Sequence, residues 1–278
     1  MAPAIQFTEI SDGVLVARTS PLDVNVSLIL GDDGALLVDT LSTDEQARAL
    51  RDAIRAITPL PLTVLNTHFH FDHCFGNAVF AAEGARIWSH EHAAAELTER
   101  GGHWQRRWYA DWAGQEPELA SGLAAATVCA PTDIIRTTEV LDLGDRRVTM
   151  AHFGHGHTAG DVVAMVPDAN VVVCGDLVEE SGPPDFSDAH PLEWPATLAV
   201  LLQLSPPEAK FVPGHGAVVD GAFVQAQHAA LADMEWLIRE GHRDGATAAA
   251  VAARGPFPPD TNRAAVERGF YALDDPAR

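Results

Sequence analysis

The densest run of side chains able to do chemistry is Thr67-His68-Phe69-His70-Phe71-Asp72-His73, an H-x-H-x-D-H pattern. It directly follows Leu62-Thr63-Val64-Leu65-Asn66, a short apolar run of strand character. In an extended chain alternate side chains share a face, so His68 and His70 can converge on one point at the strand's end. Imidazole nitrogens bind zinc at about 2.0–2.1 Å, which makes such a pair two ligands of a single ion. Asp72 and His73 follow as the chain turns into an expected helix, with Gly76 and Asn77 permitting a tight bend. That change of direction aims the second pair at a neighbouring point, and two points suggest two metals.

Further ligand types stand at the ends of later apolar strands. Gly156-His157-Thr158-Ala159-Gly160-Asp161 follows the run Arg147–His152. Cys174-Gly175-Asp176 ends Val171-Val172-Val173, and Pro213-Gly214-His215-Gly216 ends Lys210-Phe211-Val212. Loops at strand ends are where α/β sheets build their sites.

With Asp39 closing the early strand Leu36-Leu37-Val38, these signatures come in an order that resembles the metallo-β-lactamase superfamily, from about Gly13 to Val219. The resemblance implies that His68, His70 and His157 hold one metal, that Asp72, His73 and His215 hold the other, and that Asp176 bridges them. Asp39 then supports the metal-bearing loop and is not a ligand. Two zinc ions are the expected cofactors, with iron or manganese as alternatives. Metal binding lowers the pKa of water to about 7, so a metal-bridging hydroxide would attack a carbonyl carbon and no protein nucleophile is needed. Asp72 is placed to hold the attacking water's proton, or else serves purely as a ligand.

Asp176 stands where one major class of zinc β-lactamases uses cysteine, so the chain looks closer to the aspartate-bridged thioesterases and lactonases. A small ester, lactone or thioester is the expected substrate, with amide or β-lactam opening as the runner-up. His70 argues against the flavodiiron branch, where glutamate is usual, and the region after Gly216 shows no compact basic cluster for glutathione. Two readings of other classes are a mononuclear iron persulfide dioxygenase and a non-catalytic metal-binding protein on the same fold. The second would be free to lose ligands, and all seven are present.

The elements that must position these residues read as strands then helix, twice over. Gly13–Arg18, Val24–Leu30 and Ala35–Asp39 form a meander punctuated by Asp12-Gly13 and Gly31-Asp32-Asp33-Gly34. Ser42-Thr43-Asp44 caps a helix ending before Pro59, with Ala47, Leu50, Ile54 and Ile57 on one face. Ala85–Trp88 reads as a strand and Ser89 as the cap of a helix from Glu91 to Arg100. Later strands are expected at Val140–Leu143, Arg147–His152, Asp161–Val166, Asn170–Cys174 and Ala209–Val212, with helices at Leu192–Leu204, Phe223–Glu240 and Asn262–Leu273. The expected architecture is α/β: a four-layer αββα sandwich, residues 1–278 forming one domain with a helical insertion at 101–130 and C-terminal helices at 221–278.

Within 101–130, Trp104, Trp108 and Trp112 recur at i, i+4 and i+8 and so share one helical face. They either pack an insertion helix on the body or on another subunit, or form an aromatic lid over the substrate cleft. Trp104, Trp108 and His190 are the candidate substrate-lining residues, with His103 in the other variable loop. His90 and His92 lie at a helix start, where i and i+2 diverge by about 200°; they read as surface or capping residues. His152 and His155 suit supporting or solvent roles, and Cys174 a buried, inert thiol.

Composition sets outer bounds. The formal charge is −21, from 39 acidic against 18 basic residues. So acidic a surface repels phosphate backbones, which argues against nucleic-acid partners, while small anionic substrates stay open because metals supply local positive charge. No apolar stretch approaches 18 residues, the N-terminus lacks a secretory pattern, and three cysteines show no zinc-finger spacing. A cytoplasmic enzyme acting on a small molecule, possible as a homodimer and without a membrane partner, is the expectation.

Overall fold

The computed structural model describes residues 5–274. Its first half opens with β1 (Thr8–Ser11), β2 (Val14–Thr19), β3 (Val24–Leu30) and β4 (Ala35–Val38), an antiparallel meander. Next come α1 (Asp44–Ile57), β5 (Leu62–Leu65), the short helices α2 (Phe71–Cys74) and α3 (Asn77–Ala81), β6 (Arg86–His90), α4 (Glu91–Trp112), α5 (Pro117–Ala125) and β7 (Asp133–Ile135). Strands β4 to β7 run parallel, as helical crossovers require. The second half holds β8 (Thr138–Asp142), β9 (Arg147–Ala151), β10 (Val163–Val166), β11 (Val171–Glu179), α6 (Trp194–Leu204), β12 (Lys210–His215), α7 (Gly221–Arg243), α8 (Ala248–Ala252) and α9 (Pro259–Asp274). Strands β8 to β11 are antiparallel neighbours, and β11 pairs parallel with β12.

Side-chain alternation turns this ladder into layers. On β11, Val171 and Val173 join Ile29, Leu36, Val38, Leu65, Val148 and Met150 in one core, which therefore lies between the strands of the two halves. On the other face, Val172 and Cys174 pack with Leu198, Leu201, Leu231, Met234, Ile238 and Val266 of α6, α7 and α9. In the first half, Leu28, Leu37 and Val64 meet Ala47, Leu50 and Ile54 of α1. The result is the expected αββα order. Each such side chain, fully buried, contributes roughly 1.5–3 kcal/mol. The two leaves are joined along the ladder by one residue pair, His215 with Val24.

Thr43 caps α1 by accepting from the Gln46 N–H at 3.2 Å, as its sequence promised, although Ile57 ends up 40% exposed. Two expectations need correction. The helix after β6 does not stop at Arg100; α4 continues through Gly101-Gly102 to Trp112. Its cap is His90 and not Ser89, because the His90 ring accepts the His92 N–H while the Ser89 hydroxyl donates to the His90 carbonyl. The helices after 221 are likewise the outer layer of the second leaf, sharing its core, with residues 275–278 outside the described range. No described helix is long and apolar enough to cross a membrane.

Candidate metal centre

Strand β5 ends at Leu65, and the loop it feeds is held from behind by buried polar side chains. Asp39, at the end of β4, accepts from the Thr67 N–H and Thr67 hydroxyl, both at 2.8 Å, and from His73 Nδ1 at 2.8 Å. Asn66 and Asn77 exchange amide hydrogen bonds, and the Thr40 N–H donates to the His73 carbonyl at 2.8 Å. Asp39 occupies this place at a left-handed φ of 68°, a conformation aspartate tolerates better than most residues. Burial pushes its carboxyl up, and the His73 charge offsets that only in part.

From this scaffold the ligand-type atoms gather in two groups, His68, His70, His157 and Asp176 in one and Asp72, His73 and His215 in the other. Within each group they lie within 4.8 Å of one another. All seven sequence candidates are thus brought together. Asp176 sits between the groups, with carboxylate oxygens 3.5 Å from His157 Nε2, 3.2 Å from His73 Nε2 and 3.4 Å from His215 Nε2. Gly214 explains its own place in the P-G-H-G run, since a Cβ there would stand 1.7 Å from Asp176 Oδ1.

Hydrogen bonds fix which nitrogen faces inward in four of the five rings, the buried His157 Nδ1 having no hydrogen-bond partner. His73 Nδ1 donates to Asp39, and His215 Nδ1 donates to the Leu22 carbonyl at 2.7 Å. Their Nε2 lone pairs therefore face each other at 3.3 Å. His70 Nε2 is bonded to Asp188 at 3.2 Å, which turns its Nδ1 toward His157 Nε2 at 3.0 Å. His68 Nδ1 donates to the Thr67 hydroxyl, itself a donor to Asp39, leaving His68 Nε2 buried without a hydrogen-bond partner. Lone pairs facing lone pairs, beside buried carboxylates, require positive charge among them. Neutral imidazoles oriented from behind by carboxylates and carbonyls are the donor set that divalent zinc takes. The residues fit the two metals that the resemblance implies.

The local field agrees. Burial works against charge on His73 and His215, but Asp176 and Asp72 outweigh it and raise both. Burial likewise opposes charge on His70, yet Asp188 lifts it to about 9. Burial drives His68 down, and it would raise Asp72, which His73 and His215 hold below the usual carboxylate range.

Asp188 and Arg268 are site residues that sequence reasoning missed. Arg268 of α9 donates to the backbone carbonyls of Ala189 and Asp188, each at 2.8 Å, fixing the loop that orients His70. Asp161 organises the G-H-T loop by accepting from the Thr158 N–H and hydroxyl. An acid in a proline-rich loop and an arginine on a late helix carry no local signal of these contacts.

A groove of about 360 Å³ opens over the centre, lined by Leu22, Phe71, Trp108 and Trp112 as well as Asp72 and His215. The tryptophan face of α4 packs on the metal-bearing loop, the Trp104 and Trp108 rings stacked 5.3 Å apart and Trp108 5.8 Å from His70. Trp108 thus lines the groove, whereas Trp104 and His190 line a neighbouring depression; His103 is exposed on α4. His90 and His92 do not diverge, because His90 is the extended cap residue and not a helical one, and their rings lie 5.5 Å apart and nearly parallel. Cys174 points into the outer core, away from the centre, where burial pushes its thiol up.

The chain is similar to several known proteins. The human acyl-coenzyme A thioesterase MBLAC2 is 28% identical over 173 residues, covering 55% of this chain and 58% of that relative, so the chain matches less than two thirds of its length. Metallo-beta-lactamase IND-1 of Chryseobacterium indologenes is 25% identical over 205 residues, covering 72% and 75%. The structure of a metallo-beta-lactamase from Pontibacter korlensis superposes with a TM-score of 0.68 at 20% identity, covering 82% of this chain and 99% of that one, a likeness of fold. The sequence profile of the metallo-beta-lactamase superfamily matches residues 19–215, and the chain belongs to that superfamily.

Proposed function

We propose that the protein is a metal-dependent hydrolase of thioesters or related esters, working with two zinc ions on His68, His70, His157, Asp72, His73, His215 and Asp176. The observation that carries this reading is the convergence of all seven side chains, five of which, His70, Asp72, His157, Asp176 and His215, line one open groove. Bound zinc supplies water activated near neutral pH and polarisation of a substrate carbonyl. The chain's own groups do the rest. Asp72, with Oδ2 3.3 Å from His215 Nε2, stands at the groove side of its group, where it can hold a proton of the attacking water. Asp188 keeps the His70 lone pair turned inward, and Leu22, Phe71, Trp108 and Trp112 offer an apolar wall to an acyl chain.

Charge favours one class of acyl substrate. The groove's lining includes Glu179 and Asp185 and neither lysine nor arginine. Penicillins and cephalosporins carry a carboxylate that such a wall does not pair. Beside the groove, sharing Ser187 in its wall, a depression of about 320 Å³ is lined by Arg100, Arg107 and Arg268 with Trp104. The Arg100 and Arg107 guanidinium groups lie 4.8 and 5.5 Å from the Trp104 ring centre. Three arginines against two acids, Glu96 and Asp188, in the lining of one depression of a chain of charge −21 suit an anionic leaving portion, such as the coenzyme A named for the thioesterase relative.

The test is a panel of acyl-coenzyme A, a neutral thioester with the same acyl group, a lactone, an aryl ester and a chromogenic cephalosporin, run with and without chelator on protein of measured metal content. Chelator-sensitive thioester turnover, with kcat/KM at least about 10-fold above the cephalosporin, is expected; 10-fold corresponds to about 1.4 kcal/mol of transition-state discrimination. Preference for the cephalosporin, chelator-insensitive turnover or a single iron per chain would overturn the reading.

A further inference from the structure

The thirteen histidines of the chain are unevenly spread. Five belong to the metal centre, and another five, His90, His92, His152, His155 and His190, form a second patch on the outer side of the G-H-T loop. Within it, ring centres lie 3.9 Å apart for His90 and His152 and 4.5 Å apart for His155 and His190. His92 and His152 flank His155 at 6.1 and 6.4 Å.

Most of these rings have identifiable occupations. His90 Nδ1 accepts the N–H that caps α4, and His152 Nδ1 donates to the Asp161 carbonyl at 2.8 Å. His155 and His190 differ. His155 Nδ1 is buried and faces Glu193 Oε2 at 2.6 Å in a geometry that makes no hydrogen bond. One ring nitrogen each from His155 and His190 and one Glu193 oxygen lie within 4.8 Å of one another. That is a triangle of donors close enough together to share one ion. None of the three belongs to the seven-residue centre.

From this geometry we propose a third metal site, formed by His155, His190 and Glu193, for a zinc-like divalent transition ion. Two imidazoles and one carboxylate are a set that zinc accepts, with a fourth position left for water. The backbone favours the arrangement: the His190 N–H donates to the Gly156 carbonyl at 2.8 Å, and the N–H groups of Glu193 and Trp194 donate to the His190 carbonyl. The three donors are thus held on two loops already tied together. An ion here would clamp the loop bearing His157 to the loop bearing Asp188, one support on either side of the His70–His157 contact.

The test compares zinc stoichiometry in the full chain and in Glu193→Gln and His190→Ala, measured by equilibrium dialysis against buffered zinc with elemental analysis. Both substitutions lie outside the seven-residue centre, and thermal melts verify folding. The wild type should bind one equivalent more than either variant, or bind its weakest equivalent at least about 10-fold more tightly. Cobalt titration should show the same equivalent missing from the variants' visible spectrum. Equal stoichiometry and affinity in all three proteins would overturn the proposal, however many ions the main centre takes.

Discussion

The two halves of the molecule furnish the centre in different ways. The first supplies His68, His70, Asp72 and His73 from one short loop, fixed from behind by Asp39, Thr67, Asn66 and Asn77. The second supplies three ligands singly: His157 from the loop between β9 and β10, Asp176 from within β11 at its irregular stretch, and His215 from the last residue of β12. A loop pinned at one carboxylate moves as a unit, whereas ligands on separate strands move alone. Damage behind the first should reach both metal groups; damage in the second should stay local.

The largest effect is expected for Asp39→Ala. It strands the Thr67 N–H, the Thr67 hydroxyl and His73 Nδ1, each of which costs roughly 1–3 kcal/mol when left unpaired in a buried place. The unfolding free energy from denaturant melts should fall by several kcal/mol, and both metal equivalents should weaken. Retention of either at wild-type affinity would break the comparison. Gly214→Ala comes next, because its new Cβ must displace Asp176, the one acidic side chain set between both groups. Overpacking of this kind costs about 1–3 kcal/mol, and turnover should drop about 100-fold, as when a site is misplaced by an ångström. His215→Ala should empty one equivalent and spare the other, a pattern elemental analysis reads directly.

The smallest effect lies where the halves touch outside the centre, at the His90–His152 stack. Burial, then the charge of His152, lowers His90 to about 4. Above pH ~6.5 the ring is neutral in both folded and unfolded chains and adds no pH dependence. As pH falls toward 4 only the unfolded chain takes up the proton, so stability is lost through that window and levels off below it. The stability advantage of wild type over His90→Gln should therefore shrink by about 1–2 kcal/mol between pH 7 and pH 4, after discounting for solvent near the ring. A constant difference across that range would show that the stack is not a barrier to protonation.

Much of this was legible because ligand chemistry is written in residue type. The H-x-H-x-D-H run, the G-H-T turn and the two strand-end motifs named every member of the two groups, and periodicity gave the buried face of α1 apart from Ile57. What escaped reading depends on contacts between distant parts. Gly101-Gly102 resembles a helix end, since each glycine costs about 1 kcal/mol against alanine. Yet a Cβ at Gly101 would lie 2.7 Å from Val128, and the Trp104 and Trp108 faces beyond it are buried against Phe69 and Phe71, so tertiary packing carries the helix onward. Asp188 and Arg268 are 80 residues apart and meet only once α9 has docked. His90 and His92 were projected as if both were helical, and one is the cap.

The seam at His215 and Val24 has a mechanical consequence. It is the ladder's only rung between the leaves among the described residues, and the neighbouring stitches, Asn25 to the carbonyls of Pro213 and Gly216 and the Gly216 N–H to Asp23, all fall within a few residues of it. A cation gripping His215 together with Asp72 and His73 would act as a rivet through that seam, making the two leaves melt as one body. Stripped of it, the amides of Val24 and Gly216 should be among the first in the sheet to exchange with deuterium, an early unzipping that starts at the groove floor and not at the sheet's outer edges.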